Sequence, residues 1–229
     1  MSSGPAASLG IVIPALNEAA GLPAMLHHTR ACLPHAPIVV ADGGSTDDTP
    51  AVAAVAGARV IAAPRGRRPQ CRAGAMELAT EWLLFLHADT LLPRGAAEVI
   101  ARFAARPAAQ IATFRLRFDE ATLFLRASAW FTRFDSVFTR FGDQGILIRR
   151  SFYDELGGFP PWPLLEDVAL LQRARACGRI YSLPAQVTTS SRRFRARNPV
   201  RQQVRNAALL LRYLAGTPPA KLAEIYRRP

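Results

Sequence analysis

Leu9-Gly10-Ile11-Val12-Ile13-Pro14-Ala15-Leu16-Asn17-Glu18 opens on a short apolar run rich in β-branched residues and ends abruptly in polar ones. Such a run reads as a buried strand with a loop at its carboxyl end. Leu22, Met25, Leu26, Thr29 and Leu33 follow at helical spacing, so a helix is expected from about Glu18 to Leu33. Ile38-Val39-Val40-Ala41 repeats the strand pattern and leads into the turn-rich Asp42-Gly43-Gly44-Ser45-Thr46-Asp47-Asp48. Thr49-Pro50 puts proline in a first helical turn, Gly57 supplies a stop, and Arg59 to Ala62 reads as a third strand. Strand, helix, strand, helix, strand implies parallel strands joined by crossover helices, which is the α/β class.

Further along, a helix is expected from about Gln70 to Thr80, the strand Trp82 to Leu86, a helix near Arg94 to Ala105 and a strand over Ile111 to Phe118. In that last strand Phe114, Leu116 and Phe118 alternate with Arg115 and Arg117, which predicts one exposed face. Residues 121–140 read as an aromatic amphipathic helix (Phe124, Trp130, Phe131, Phe134, Phe138), more often core or dimer face than substrate platform. The strand Gly145 to Ile148, a short helix around Phe152 to Leu156 and the turn Gly157-Gly158-Phe159 come next. A helix from Leu165 to Cys177 stops at Gly178; the strand Ile180 to Leu183 and an extended Gln186 to Ser190 close the domain. The expected division is a domain over 1–197 and an amphipathic helical tail over 198–229.

The chain has 229 residues, half of them hydrophobic and 20% charged, enough for one domain with a sizeable core. Cys32, Cys71 and Cys177 form no C-x-x-C, so neither a zinc knuckle nor a disulfide framework is suggested, and a reducing compartment is expected. The first residues lack the basic start of a signal peptide, and no apolar run reaches about 18 residues, so no spanning helix is expected. The expected location is cytoplasmic, with peripheral contact at the inner face of the membrane as an extension. A net charge of +12, carried by arginine apart from Lys221, suits a nucleotide diphosphate, an acidic lipid surface or nucleic acid, and charge alone does not choose.

Carboxylates at strand ends narrow the choice. Glu18, Asp42 and Asp89 stand at the carboxyl ends of three expected strands or their loops, where open parallel sheets form ligand crevices. Each has a structural alternative: Asn17 and Asp47 suit helix caps, and Asp42 its own glycine turn. Asp89 directly follows a buried strand and lies several residues before the next helix, which favours a hard-cation ligand for Mg²⁺ or Mn²⁺ over a cap. Glu166-Asp167 fits equally a helix N-terminus and a general base, and Asp143-Gln144-Gly145 is as open. Pro64-Arg65-Gly66-Arg67-Arg68-Pro69-Gln70 carries arginine forks beside a helix start, which suit phosphate. G-x-x-x-x-G-K-[ST] and G-x-G-x-x-G are both absent, against a P-loop and a nicotinamide enzyme.

Ile11 to Glu18, Val40 to Thr49, His87-Ala88-Asp89 and Glu166-Asp167, in that order, resemble family 2 glycosyltransferases of the GT-A fold. Gly66-Arg67 with Gln70 and Gly74-Ala75, Phe85 to Thr90, Asp143-Gln144-Gly145, and Leu156 to Phe159 with Glu166-Asp167-Val168 resemble one bacterial subgroup more closely. This is the radical-SAM/selenodomain-associated transferase 2 group, also described as arsenosugar biosynthesis glycosyltransferases. The resemblance covers roughly residues 9–195 and implies a mixed, mainly parallel sheet flanked by helices. It implies that Pro14, Asn17 and Glu18 line a nucleotide pocket, that Asp42 contacts the base, and that Asp89 ends a D-x-D-like motif as metal ligand. Asp167 would be the catalytic base of an inverting transfer, and Arg67 and Arg68 would assist at the diphosphate. Gln70, His87, Asp143, Gln144 and Glu166 join the nucleotide-sugar site. His87 replaces the first aspartate of the wider family's D-x-D, and imidazole suits hard cations less well than carboxylate.

The implied partners are a nucleotide diphosphate sugar donor and an unidentified acceptor. Val200, Val204, Ala207, Ala208, Leu211 and Leu214 recur at helical spacing beside Arg201, Arg205 and Arg212, which suits a helix packed on the domain or one lying on an anionic membrane. Nucleotidyl transfer on a related fold would want a glycine-rich, lysine-bearing start. A non-catalytic basic binder would leave the strand-end carboxylates without purpose, and no nucleic-acid-reading module is present.

Overall fold

The computed structural model describes residues 8–119, 123–134, 136, 139, 142–160, 162, 164–190 and 199–227. β1 (Leu9–Ala15), α1 (Leu22–Cys32), β2 (Ile38–Asp42), α2 (Thr49–Val55) and β3 (Arg59–Ala62) are followed by α3 (Arg67–Met76) and β4 (Trp82–Phe85). β5 (Thr90–Leu91), α4 (Ala96–Ala104), β6 (Ile111–Phe118) and α5 (Leu123–Phe131) come next, then β7 (Ile146–Arg149), α6 (Arg150–Glu155), α7 (Glu166–Cys177) and β8 (Tyr181–Thr189). The tail carries α8 (Pro199–Leu214) and α9 (Pro219–Arg227). The strands make one sheet in the order β3-β2-β1-β4-β7-β6-β8-β5. β3, β2, β1 and β4 run parallel, β7 lies antiparallel to both β4 and β6, and β8 runs parallel to β6.

The near-continuous apolar runs follow from burial of the sheet on both faces. Ile11, Ile13, Trp82, Leu84 and Leu147 face one core with Leu22, Leu26 and Phe103 of the helices. Val12, Leu83, Phe85, Ile146 and Ile148 face the other, with Cys71 and Ala75 of α3 and Leu170, Leu171 and Ala174 of α7. A Cβ on Gly74 would come 2.5 Å from Val12 Cγ1, so α3 lies on β1 at a distance only glycine permits.

Several elements differ from expectation. α1 begins at Leu22 rather than near Glu18, because the backbone of residues 17–19 is tied to the turn after β2. The amides of Asn17, Glu18 and Ala19 donate to Ser45 Oγ (2.9 Å), Thr49 Oγ1 (2.8 Å) and Asp47 Oδ2 (3.1 Å). α3 spans Arg67–Met76, three residues earlier than the periodicity suggests. The segments around Ile180 to Leu183 and Gln186 to Ser190 form one strand, β8, with a register shift at Leu183-Pro184-Ala185. Proline has no N–H for the ladder, so the shift falls there.

The aromatic helix ends at Phe131 instead of reaching 140, and Phe138 and the side chain of Phe124 lie outside the described residues. Thr132 anchors the turn that ends it, its hydroxyl accepting from Leu116 N (3.0 Å) and donating to Ala129 O (2.7 Å). In the tail, Leu209, Leu210, Leu222 and Ala223 are buried, and the Tyr213 hydroxyl donates to Gln172 Oε1 of α7 at 2.5 Å. Among the described residues, no helix is long and apolar enough to cross a membrane.

Candidate active site

A cleft of about 290 Å³ opens at the carboxyl ends of β1 and β4, against the start of α3. Pro14, Ala15, Leu16 and Glu18 come from the end of β1, His87, Ala88 and Asp89 from the end of β4, and Arg65, Gly66, Arg67 and Gln70 from the α3 side. Six of the expected site residues therefore meet in one cavity: Pro14, Glu18, Arg67, Gln70, His87 and Asp89. Asp89 caps no helix, since the residue before α4 is Gly95.

Gln70 is 4% exposed, and its amide nitrogen donates to Ala15 O and Ala41 O, both at 2.7 Å. It thereby bridges the ends of β1 and β2, adding a second donor to Ala15 O beside the Gly43 amide.

A second acidic group stands at the start of α7. Asp167 Oδ2 accepts the amide of Gly142 at 2.6 Å, and Oδ1 accepts its neighbour Val168 N at 2.8 Å. Gly142 lies close against it: a Cβ there would come 3.0 Å from Asp167 Oδ2, so the carboxylate would have to shift. Leu165, just before the helix, holds a left-handed backbone (φ +61°), an uncommon state for a branched side chain that aims Glu166 and Asp167 inward.

Electrostatics joins the two groups. Burial pushes the Asp143 carboxyl up to about 6; Asp167 adds to the push, Arg67 opposes it, and Asp89 adds a smaller part. Burial also raises Glu166, with Asp167 reinforcing and Arg67 opposing. For Arg67, burial disfavours the charge, but Asp167, Glu166, Cys71 and Asp143 outweigh it and hold the guanidinium ionised. Asp143 thus feels both Asp89 and Asp167, and Arg67 lies between the cleft and the carboxylates of α7. One Asp143 oxygen, Oδ1, is buried without a hydrogen-bond partner.

Asn17, Asp42, Asp143, Gln144, Glu166 and Asp167 do not line the cleft, and the polar atoms of Asn17, Asp42 and Gln144 engage the protein. Asn17, at φ +55°, accepts Thr46 N at 2.8 Å and locks the β1 loop to the β2 turn. Asp42 Oδ2 accepts the amides of Gly44 and Ser45, each at 3.0 Å, and Oδ1 accepts the Ser45 hydroxyl at 2.5 Å. Gln144 is fully buried and donates to Thr139 O at 2.5 Å. Arg65, not singled out as a site residue from sequence, lines the cleft where Arg68 does not. Nothing local in the sequence signals the contact between Gly142 and Asp167, which spans 25 positions.

Among the described residues, no three His, Cys, Asp or Glu side chains gather closely enough to cage an ion. Mg²⁺ is commonly held by one or two carboxylates together with substrate phosphates, and Asp89 in an open cleft lined by Arg67 fits that arrangement.

The curled, mostly parallel α/β sheet with a crevice at its strand ends is of the GT-A type. The chain belongs to Glycosyl transferase family 2, whose profile matches residues 10–157. It is similar in fold to S. aureus TarS 1-349 (15% identity, TM-score 0.68, covering 80% of this chain and 60% of that one). It is likewise similar to the mannosyltransferase PcManGT from Pyrobaculum calidifontis, solved with GDP-Man and Mn2+ (18% identity, TM-score 0.64, covering 80% and 56%). A third likeness is glucosyl-3-phosphoglycerate synthase from Mycobacterium tuberculosis, solved with Mn2+, uridine-diphosphate and glucosyl-3-phosphoglycerate (17% identity, TM-score 0.60, covering 93% and 81%). The chain spans 60% and 56% of the first two of these. A search of the curated proteins finds no match.

Proposed function

We propose that the protein transfers a sugar, with inversion, from a nucleotide diphosphate sugar to the hydroxyl of an acceptor, assisted by a divalent metal. The observation that carries this reading is the cleft at the β1 and β4 ends, which brings Asp89 and Glu18 beside Arg65 and Arg67. Asp167, held by Gly142 N at the start of α7, would supply the proton-accepting carboxylate. The donor would lie along the β1 and β4 ends, with Pro14 and Glu18 beside the nucleotide and Asp42 and Asn17 holding the loops that shape its base and ribose pocket. Asp89 and the donor diphosphate would hold Mg²⁺ or Mn²⁺, whose charge neutralises the departing nucleoside diphosphate. The Mn2+ and nucleotide in the two neighbours' complexes support this metal and donor class.

Asp167 takes the proton of the acceptor hydroxyl, the acceptor oxygen bonds to the anomeric carbon, and the bond from that carbon to the diphosphate breaks on the opposite face. The Gly142 amide keeps Asp167 Oδ2 oriented. Arg67 holds Asp167, Glu166 and Asp143 in mutual range despite their like charge. His87 and Asp143-Gln144-Gly145 keep the transferase 2 subgroup as the finer assignment. We assign residues 1–197 as the catalytic unit and 198–229 as an appendage packed on it through Tyr213, with the protein working in the cytoplasm or at its membrane face.

Asp167→Asn tests the base. Turnover of a donor-acceptor pair should fall by about 10²–10⁴-fold, while the rise in melting temperature caused by donor stays. Undiminished turnover in the variant, or in wild-type protein treated with EDTA, would remove the role given to Asp167 or to the metal respectively.

A further inference from the structure

Three aromatic rings stand uncovered where α5 ends. Trp130, Phe131 and Phe134 are 47%, 53% and 52% exposed and pack against one another. Ring centroids lie 5.3 Å apart for Trp130 and Phe131 and 5.1 Å apart for Trp130 and Phe134, both edge to face. The buried Thr132 anchor to β6 lies within this turn, so the fold itself presents the rings outward. Arg133 is exposed and its guanidinium lies 5.7 Å from the centre of the Trp130 ring; Arg126 is exposed on the same helix.

The cluster continues toward the tail. Arg175 Nη2 donates to Ser136 O at 3.0 Å, while Gln172, one turn earlier on α7, accepts from Tyr213 of α8. Residues three apart share a helix face, so the aromatic turn and α8 lean on the same stripe of α7. α8 adds exposed Leu211 (56%) and Leu214 (42%). The three packed rings form an exposed apolar patch, which marks an interaction surface.

Charge and ring geometry select the occupant. A second copy also carries +12 and would bring Arg126 and Arg133 against their equivalents in a two-fold contact. Single-stranded nucleic acid stacks on ring faces, whereas these rings meet edge to face and the leucines offer no platform. An anionic bilayer satisfies every part: aromatic rings settle at the headgroup level, leucines enter the acyl boundary and arginines meet lipid phosphates.

We infer that the Trp130-Phe131-Phe134 cluster, with Arg126, Arg133 and the exposed leucines of α8, docks the protein on an anionic membrane surface. Hydrogen bonds lead from the patch toward Asp143. Thr139 Oγ1 donates to Phe134 O at 2.7 Å, Thr139 O accepts from Gln144 Nε2, and Gln144 follows Asp143. Docking would favour an acceptor presented at that surface. That last consequence rests on the transferase reading; the docking itself does not.

Full-length protein mixed with vesicles of phosphatidylcholine, with or without phosphatidylglycerol, tests this by co-sedimentation and tryptophan quenching by brominated lipid. Trp82 is buried and Trp162 half-buried, so Trp130 should give most of the quenching. Binding should need phosphatidylglycerol and weaken with salt. Trp130→Phe should keep binding and lose the quenching. Changing Trp130, Phe131 and Phe134 together to serine should lower partitioning on the order of tenfold or more, with the donor-induced thermal shift unchanged. Equal vesicle binding by the triple variant, or no quenching in wild type, overturns the inference. So does a concentration-dependent dimer that the triple variant loses, or binding to single-stranded RNA without binding to vesicles. Failure of the donor-induced shift in wild-type protein would instead count against the transferase reading.

Discussion

At the scale of single residues, like charges forced together are the dominant tension. Asp143 is pushed up to about 6 by burial first and by Asp167 next. A carboxyl raised on folding favours the fold while protonated. That contribution is whole below the unfolded value of about 3.9 and lost as pH climbs through about 6. Asp143→Asn should therefore raise the stability of metal-free protein at pH 8 by about 1–2 kcal/mol, with the gain fading by pH 4. Urea unfolding at the two pH values checks it, and an equal gain at both would deny the shift. Gly142→Ala acts on the neighbour: the added methyl, 3.0 Å from Asp167 Oδ2, must displace the carboxylate. Turnover should drop on the order of tenfold to a hundredfold with donor affinity kept, which steady-state kinetics with a binding isotherm would separate. The carboxylates at the β1 and β4 ends were legible in sequence because a charge beside a buried apolar run has few places to go. The Gly142 contact and the Asp143 coupling were not, since both arise from segments far apart in the chain.

Among the elements, the parallel core was the readable part. β1, β2, β4 and their helices carry long or strongly apolar signals, and β6 falls where the alternation of Phe114 to Phe118 puts it. β5 has two residues and no pattern to find. The antiparallel direction of β7 cannot be seen in three apolar residues and an arginine. α5 stops early because Thr132 is drawn to β6, a tertiary pull stronger than the continuing aromatic period. Gln70 shows the same limit: a motif position beside phosphate-suited arginines proves to fasten β1 to β2. Gln70→Leu should remove the donor that Ala15 O and Ala41 O share, with the Gly43 amide still serving Ala15 O, and cost about 1–3 kcal/mol. Chemical denaturation would show it, and a neutral result would mean that water or another donor reaches those carbonyls.

For the whole molecule, the net charge of +12 conceals a sharply uneven distribution. Glu18 and Asp89 meet Arg65 and Arg67 in the crevice, Asp143, Glu166 and Asp167 act on Arg67, and exposed arginines and aromatic rings stand at the end of α5. That separation of sign suits an enzyme that holds an anionic donor through a cation and approaches its acceptor from a charged surface. Binding to the native state raises its melting temperature by mass action, so donor recognition is measurable before any acceptor is identified. The decisive experiment is a thermal-shift panel of UDP-, GDP-, dTDP- and CDP-sugars with Mn²⁺ or with EDTA, on wild-type protein and Asp89→Ala. At least one donor should raise the wild-type melting temperature only with metal, and Asp89→Ala should abolish that rise. No shift with any donor, or the same metal-dependent shift in Asp89→Ala, would contradict the assignment of the crevice.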